Sequence, residues 1–277
     1  MYQKQKVFYD ELKLIKSPVI KDFASFLIEK LPDYFFEVAA SSTGKYHSDT
    51  CCGSGGLVRH TKAAVMFARS LWDEDNQGLK QFSFSDDGKD WIIVALIMHD
   101  GWKHGLTDQT GFTAFDHPLV AAEQIQKYAT EFDALEKHEV KVQIDAGVIA
   151  SLVSTHMGRW NTSRFDKDTV LPEPISTVQQ FVHLCDYLAS RSFLSFDFTK
   201  ANLVYYDPQD YWIEVDLSEQ IKEHISFCKY LINEKGVSRN TLNEITKNIS
   251  GFKNPMRITS KEVLDKLIEA VRAFDNE

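Results

Sequence analysis

The chain is poor in the features that mark secreted, membrane-spanning and DNA-coating proteins. It has only four cysteines, Cys51, Cys52, Cys185 and Cys228, with no C-x-x-C pair, and adjacent Cys51 and Cys52 make a poor disulfide set. A reducing, cytoplasmic setting is therefore expected. No apolar run approaches the ~20 residues of a membrane helix, and the opening "MYQKQKVFYDELKLIK" is too mixed and polar for a secretory leader. Positive charge is in deficit, with 31 Lys+Arg against 40 Asp+Glu and a net charge of −9. That argues against a protein that works through broad phosphate contacts along DNA. An anionic substrate stays open, because a bound divalent metal inverts the local field. Low-complexity tracts and internal repeats are absent. Gly44-Lys45 is no P-loop, since G-x-x-x-x-G-K-[ST] is missing. What remains is an ordinary globular composition in 277 residues, enough for one large domain or one domain with an appendage.

The patterning is mostly helical, and the fold class expected is all-α. Ser17-Pro18 opens a helix with Pro in its tolerated first turn, Ile20, Phe23, Leu27 and Leu31 form its apolar face, and Pro32 ends it. After the Ser/Thr/Gly-rich loop "EVAASSTGKYHSDTCCGSGG", a second helix starts near Leu57 with Leu57, His60, Ala64, Phe67 and Leu71 on one stripe. "WIIVALIM" (91–98) fits either a buried strand or a buried helix, and its helical surroundings favour helix. Further helices are expected from about His117 to Tyr128, Glu139 to His156 and Ser176 to Arg191. The aromatic, β-branched stretch near 200–215 reads as a short hairpin or an ordered loop around "DPQD". Two or three helices close the chain, the last with a Thr259/Glu262 capping box and Leu264, Leu267, Val271 and Phe274 inside. The organisation expected is an N-terminal helical extension and loop (1–55), a helical core (56–195) and a C-terminal helical extension (196–277).

One pattern carries chemistry. His60, His99-Asp100, His117, His156 and Asp186 all fall on inner faces or element ends, separated by 39, 18, 39 and 30 residues. Each gap holds about one helix and a connection, so five elements can deliver ligands to one point inside a bundle. Four imidazoles and two carboxylates suit divalent metals such as Mn, Fe, Co, Ni or Zn. One ion would use His60, His99, Asp100 and Asp186. His117 and His156 are what a second ion would need, with Asp100 placed to bridge. Two ions ~3.5–4 Å apart can activate a water and clamp the oxygens of a phosphate.

The ordered set H…HD…H…H…D resembles the HD-domain metal-dependent phosphohydrolases. "HDGWK" is similar to that family's H-D-x-x-K, and "GGLVRHT", "DHPLVAAEQI" and "HLCDYLASR" also read like family segments, so the resemblance covers roughly residues 40 to 195. The two middle histidines resemble the binuclear phosphodiesterase branch, nearest to the HD half of bacterial exoribonucleases. The resemblance implies an HD-type helical bundle with extra N- and C-terminal helices. It further implies two divalent ions (Mn, Fe, Ni, Co, Zn or Mg) and hydrolysis of a phosphodiester in a nucleotide or short oligonucleotide by a metal-activated hydroxide. Asp100 and Lys103 are catalytic candidates on that resemblance, and His104, adjacent to Lys103, is a third. The alternatives are a (deoxy)nucleotide phosphatase or triphosphohydrolase, and a non-catalytic metal or nucleotide sensor. No membrane and no extended DNA are expected as partners.

Each residue also has a plainer reading. His60 or His156 alone would more often be a satisfied core histidine, and Asp186 a cap or ion-pair partner; the joint pattern is what weighs against that. Lys103 is a phosphate contact or a solvated lysine. His104 is a proton donor to a leaving group or an exposed loop histidine. Lys45 and His47 lie in a loop of the right composition to close over a phosphate. Arg159 and Trp160, just after His156, can pair with and stack on a nucleotide, or simply pack. Arg191 reaches a phosphate bidentately or caps its helix C-terminus. His183 supports the metal site or sits in the core, His138 and His224 read as surface residues, and Cys185 as a small buried hydrophobe.

Overall fold

The structure is a computed structural model that describes residues 3–41, 47–72, 79–107, 111–135, 137–163, 169–194, 218–251, 253–255, 258 and 261–275. The fold is all-α. Among the described residues the chain forms twelve α-helices and no strand, with two isolated bridges, Trp72 to Leu79 and Thr162 to Val170. The helices are α1 (Gln3–Val7), α2 (Tyr9–Leu14), α3 (Pro18–Lys30), α4 (Tyr34–Glu37), α5 (Gly56–Leu71), α6 (Asp86–Met98), α7 (His117–Asp133), α8 (Gln143–Ser154), α9 (Thr177–Ala189), α10 (Ser218–Glu234), α11 (Arg239–Ser250) and α12 (Lys261–Arg272). No described helix is long and apolar enough to cross a membrane. The hairpin or loop expected near 200–215, and Thr259 of the expected capping box, lie outside the described residues.

The helices that position the site begin and end where local chemistry dictates. The Ser17 hydroxyl accepts from the Ile20 amide at the start of α3, and Ser85 accepts from Gly88 at the start of α6. Ser176 and Gln179 form a reciprocal capping box on α9. α5 opens at Gly55, in the left-handed region at φ 67°, followed by Gly56, where a Cβ would lie 2.2 Å from the Cys51 carbonyl oxygen. Only glycine permits that approach, and it fixes the loop before α5 against the helix that carries His60. α6 is buried all round from Ile92 to Met98, which is why "WIIVALIM" shows no amphipathic period.

α7 lies along α8, α5 along α9, and α6 packs on α8, α5 and α9. The main core runs through these helices and takes in Phe8, Phe23, Leu27 and Phe35 from the first four. Two short helices, α1 and α2, precede the first one expected. They are held by a buried Lys62–Glu11 ion pair at 2.7 Å, while Asp90 of α6 accepts from the backbone amides of Lys16 and Ser17 just beyond them. A second apolar cluster joins α10, α11 and α12 to Ala39 and Cys52, with Leu264, Leu267 and Val271 fully buried. His224 belongs to this second cluster. Expected at the surface, it is 3% exposed, because Ile221, His224, Cys228 and Leu231 share the inward stripe of α10. His138 is likewise engaged, at 3.1 Å from Asp22 and stacked on Phe132. α7 runs one turn further than expected, to Asp133, and α8 is shorter at both ends.

Candidate metal centre

The six ligand candidates meet in the middle of the α5–α9 bundle. His60 projects from α5, and His99 and Asp100 occupy the turn that ends α6. His117 is the first residue of α7, His156 follows α8, and Asp186 lies in the last turn of α9. They resolve into two groups of three, each of which could hold a metal ion: His60, His99 and Asp186, and Asp100, His117 and His156. Within each group the ligand atoms all lie within 4.8 Å of one another. In the first, His60 Nε2 is 3.1 Å from both His99 Nε2 and Asp186 Oδ1. In the second, His117 Nε2 is 3.3 Å from His156 Nε2 and 3.1 Å from Asp100 Oδ1.

Asp100 joins the two groups. Its Oδ1 faces His117 and His156, at 3.1 and 3.8 Å. Its Oδ2 faces His99 and His60, at 3.4 and 3.6 Å, and also takes the Lys103 ammonium at 2.5 Å. The carboxylate thus presents one oxygen to each triad.

The hydrogen bonds behind the ligands show how well this set suits cations. His99 Nδ1 lies 2.7 Å from the Leu96 carbonyl, His117 Nδ1 2.6 Å from that of Ala114, and His156 Nδ1 2.7 Å from that of Val153. A carbonyl only accepts, so each of these Nδ1 atoms carries a proton and each Nε2 is turned inward. The Nε2 atoms approach at 3.1 Å for His60 and His99 and at 3.3 Å for His117 and His156, distances that call for a proton or a cation between the two nitrogens. Positive charge is accordingly drawn to the centre. Burial lowers the His99 pKa by itself, but Asp100 and Asp186 outweigh it and raise the imidazole to about 10. Burial, with His99 and His117 alongside, pushes His156 down to about 3. Burial alone would raise both carboxylates; Lys103 and His99 hold Asp100 well below the usual range, and His60 and His99 do the same for Asp186.

Around this centre the other candidates divide. His47 lies edge-on to the His60 ring, centroids 4.8 Å apart, with both ring nitrogens buried and without a hydrogen-bond partner. Burial, and then the neighbouring His60 and Lys103, keep it well below its ordinary pKa, so the ring is neutral. His104 is buried rather than an exposed loop residue, stacked on Tyr34 at 5.2 Å and outside both triads. The Tyr34 ring that covers it comes from seventy residues upstream, which the sequence around His104 does not show. Arg159 and Trp160 lie together on an exposed cleft wall with His183 and Tyr187. Arg191 turns back on its own helix, donating to the Tyr187 carbonyl at 3.0 Å and to Ser190. In this position it satisfies carbonyl and hydroxyl acceptors at the C-terminal end of α9. Lys45 lies outside the described residues. Cys185 is fully buried and belongs to neither group, and burial with the adjacent Asp186 charge pushes its thiol well up. His183 supports the centre from behind, its Nδ1 2.6 Å from the His156 carbonyl. Tyr187, which carries no motif of its own, lines the same cleft, on a helical stripe with Gln180 and Leu184 beside Asp186.

Comparison with family models, with curated proteins and with solved structures returns no match to this chain. The assignment of function therefore rests on the site itself.

Proposed function

We propose that the protein is a metal-dependent phosphohydrolase of the HD-domain kind, with two divalent ions in the paired triads and a phosphodiester of a nucleotide or short oligonucleotide as substrate. The observation that carries this reading is Asp100, whose two oxygens address the two triads separately. A single-ion site has no use for a bridging carboxylate backed by two further histidines. A pair of ions, when bound, supplies Lewis acidity toward phosphoryl oxygens and lowers the pKa of a water molecule they share.

The chain's own residues do the rest. Asp100 and Asp186 bring two negative charges that balance the ions, and the carbonyl-anchored imidazoles hold their Nε2 atoms in fixed directions without reorganisation. Lys103, tethered to Asp100, stands where its ammonium offsets charge growing on a non-bridging phosphoryl oxygen. His47, neutral and beside His60, offers one N–H and one lone pair at the edge of the site. A phosphoryl or leaving-group oxygen is a partner suited to its N–H. The deep burial of all four ligand histidines excludes bulk water from the centre.

The test is metal analysis of the purified chain together with hydrolysis of bis-(4-nitrophenyl) phosphate and of the mono-ester under added Mn. Two ions per chain with preference for the diester is the expected result. One ion with preference for the mono-ester would replace the reading with a mononuclear nucleotidase, and bound metal without turnover of either ester with a sensor.

A further inference from the structure

We propose that the cleft walled by Arg159, Trp160, His183 and Tyr187 is the subsite for the substrate's nucleobase, so that the phosphodiester is recognised as part of a nucleotide; this rests on the phosphohydrolase reading above. The first ground is position. The cleft is built by the two segments that contribute one ligand to each triad. Trp160 stands four residues after His156, and Tyr187 directly follows Asp186. The segments are locked together between ligand and cleft. His183 Nδ1 donates to the His156 carbonyl at 2.6 Å. Its ring rests on Gly158, where a Cβ would come within 2.4 Å of His183 Cε1 and where φ is +57°. Successive helix residues diverge by ~100°, so Asp186 faces the metal centre while Tyr187 faces the cleft.

The second ground is chemistry. The cleft encloses about 540 Å³ and includes Phe82 and Gln180 in its lining, a volume in the range of small-molecule sites. Trp160 is 42% exposed and lies parallel to Tyr187, ring centroids 5.6 Å apart at 12°. The Arg159 guanidinium is 4.8 Å from the Trp160 ring, and that of Arg191 is 4.0 Å from Tyr187. Among the described residues no carboxylate pairs with either arginine. In a chain of net charge −9, the Arg159 guanidinium, with no carboxylate partner among the described residues, beside an exposed aromatic pair suits a ligand that is flat and anionic. Arg159 can swing toward phosphate while a base takes its place on the indole.

The experiment is calorimetric titration of the full chain in excess chelator, with nucleoside 5′-monophosphates and with ribose 5-phosphate as the base-free control. The nucleotides should bind about tenfold more tightly than ribose 5-phosphate, the scale of one base–aromatic stack. Trp160→Ala should abolish that preference and Trp160→Phe should keep most of it. Arg159→Ala, at an exposed position, should weaken both ligands alike. Equal binding of nucleotide and ribose 5-phosphate by the unmodified chain overturns the proposal. So does a folded Trp160→Ala chain, judged by its helical circular dichroism, that keeps the preference. Should Trp160→Ala not fold, the unmodified chain and Arg159→Ala decide alone: an unweakened Arg159→Ala chain overturns the proposal. Because no metal is present, the result is separate from the hydrolysis test. A chain that turns over no phosphodiester fails the proposed function whatever it binds, and a chain that turns over diesters without base preference fails only the cleft.

Discussion

Addition of Mn to metal-free protein should reveal how many sites the cluster holds, if binding is read as thermal stability. A ligand that binds only the folded chain stabilises it by RT ln(1 + [L]/Kd), about 2.7 kcal/mol at a hundredfold excess over Kd. Two triads give about twice that, ~5 kcal/mol. At roughly 2–4 °C per kcal/mol for a chain of this size, the melting point should rise by ~10–20 °C. The geometry predicts how variants divide this rise. His117 belongs to the second triad alone, and both its near neighbours there, Asp100 Oδ1 and His156 Nε2, lie within 3.3 Å. His117→Ala should therefore keep the first site and about half the shift. Asp100 serves both triads, so Asp100→Asn should remove nearly all of it. Asp186→Asn touches only the first triad and should behave like His117→Ala, with the other ion retained. Differential scanning fluorimetry across an Mn titration, with metal content by mass spectrometry, measures both quantities. An equal shift in His117→Ala and the unmodified chain would falsify the paired-site reasoning, as would an Asp100→Asn chain that keeps one full site.

Three further outcomes follow from particular contacts. Lys103→Met should lower turnover of bis-(4-nitrophenyl) phosphate by ~100-fold with metal content unchanged, since Lys103 reaches the centre only through Asp100; loss of metal in parallel would make it a structural lysine instead. Lys62→Met leaves Glu11 charged and buried, and should cost ~3–5 kcal/mol in urea denaturation. The double change with Glu11→Leu should recover most of that, and a double variant as weak as the single one would contradict it. Burial lowers the His224 pKa to about 4, so between pH 6.5 and 4 the unfolded chain binds the proton that the folded chain refuses. His224 should then reduce stability as pH falls through that window, by up to ~3 kcal/mol, and have no effect above it. Urea midpoints of the unmodified chain and His224→Leu, measured from pH 7.5 to 4, should diverge only on the acid side.

The convergence of the six candidate ligands was legible because each member stands at a place that patterning marks: His99-Asp100 where a fully apolar run stops, His117 ahead of a proline in a first turn, His60 in a stripe of Leu and Ala. Their joint order carried information that no single histidine did, and spacing between helices translated directly into convergence. Long-range geometry left no such mark. α1 and α2 escaped notice because their burial depends on Phe35, on Lys62 and on a bundle surface built much later in the chain. His224 looked like a surface histidine for the same reason; its stripe on α10 is inward only once α12 supplies Leu264 and Leu267 to cover it. Arg191 shows a different limit. A guanidinium near a ligand can reach forward to a substrate or back to its own helix carbonyls, and the choice lies in side-chain torsions that sequence does not encode. The division of labour at Asp100 is of that kind too. Sequence places one carboxylate beside His99, but which oxygen meets which triad depends on the packing that brings His117 of α7 and His156 after α8 to Oδ1 and His60 of α5 to Oδ2.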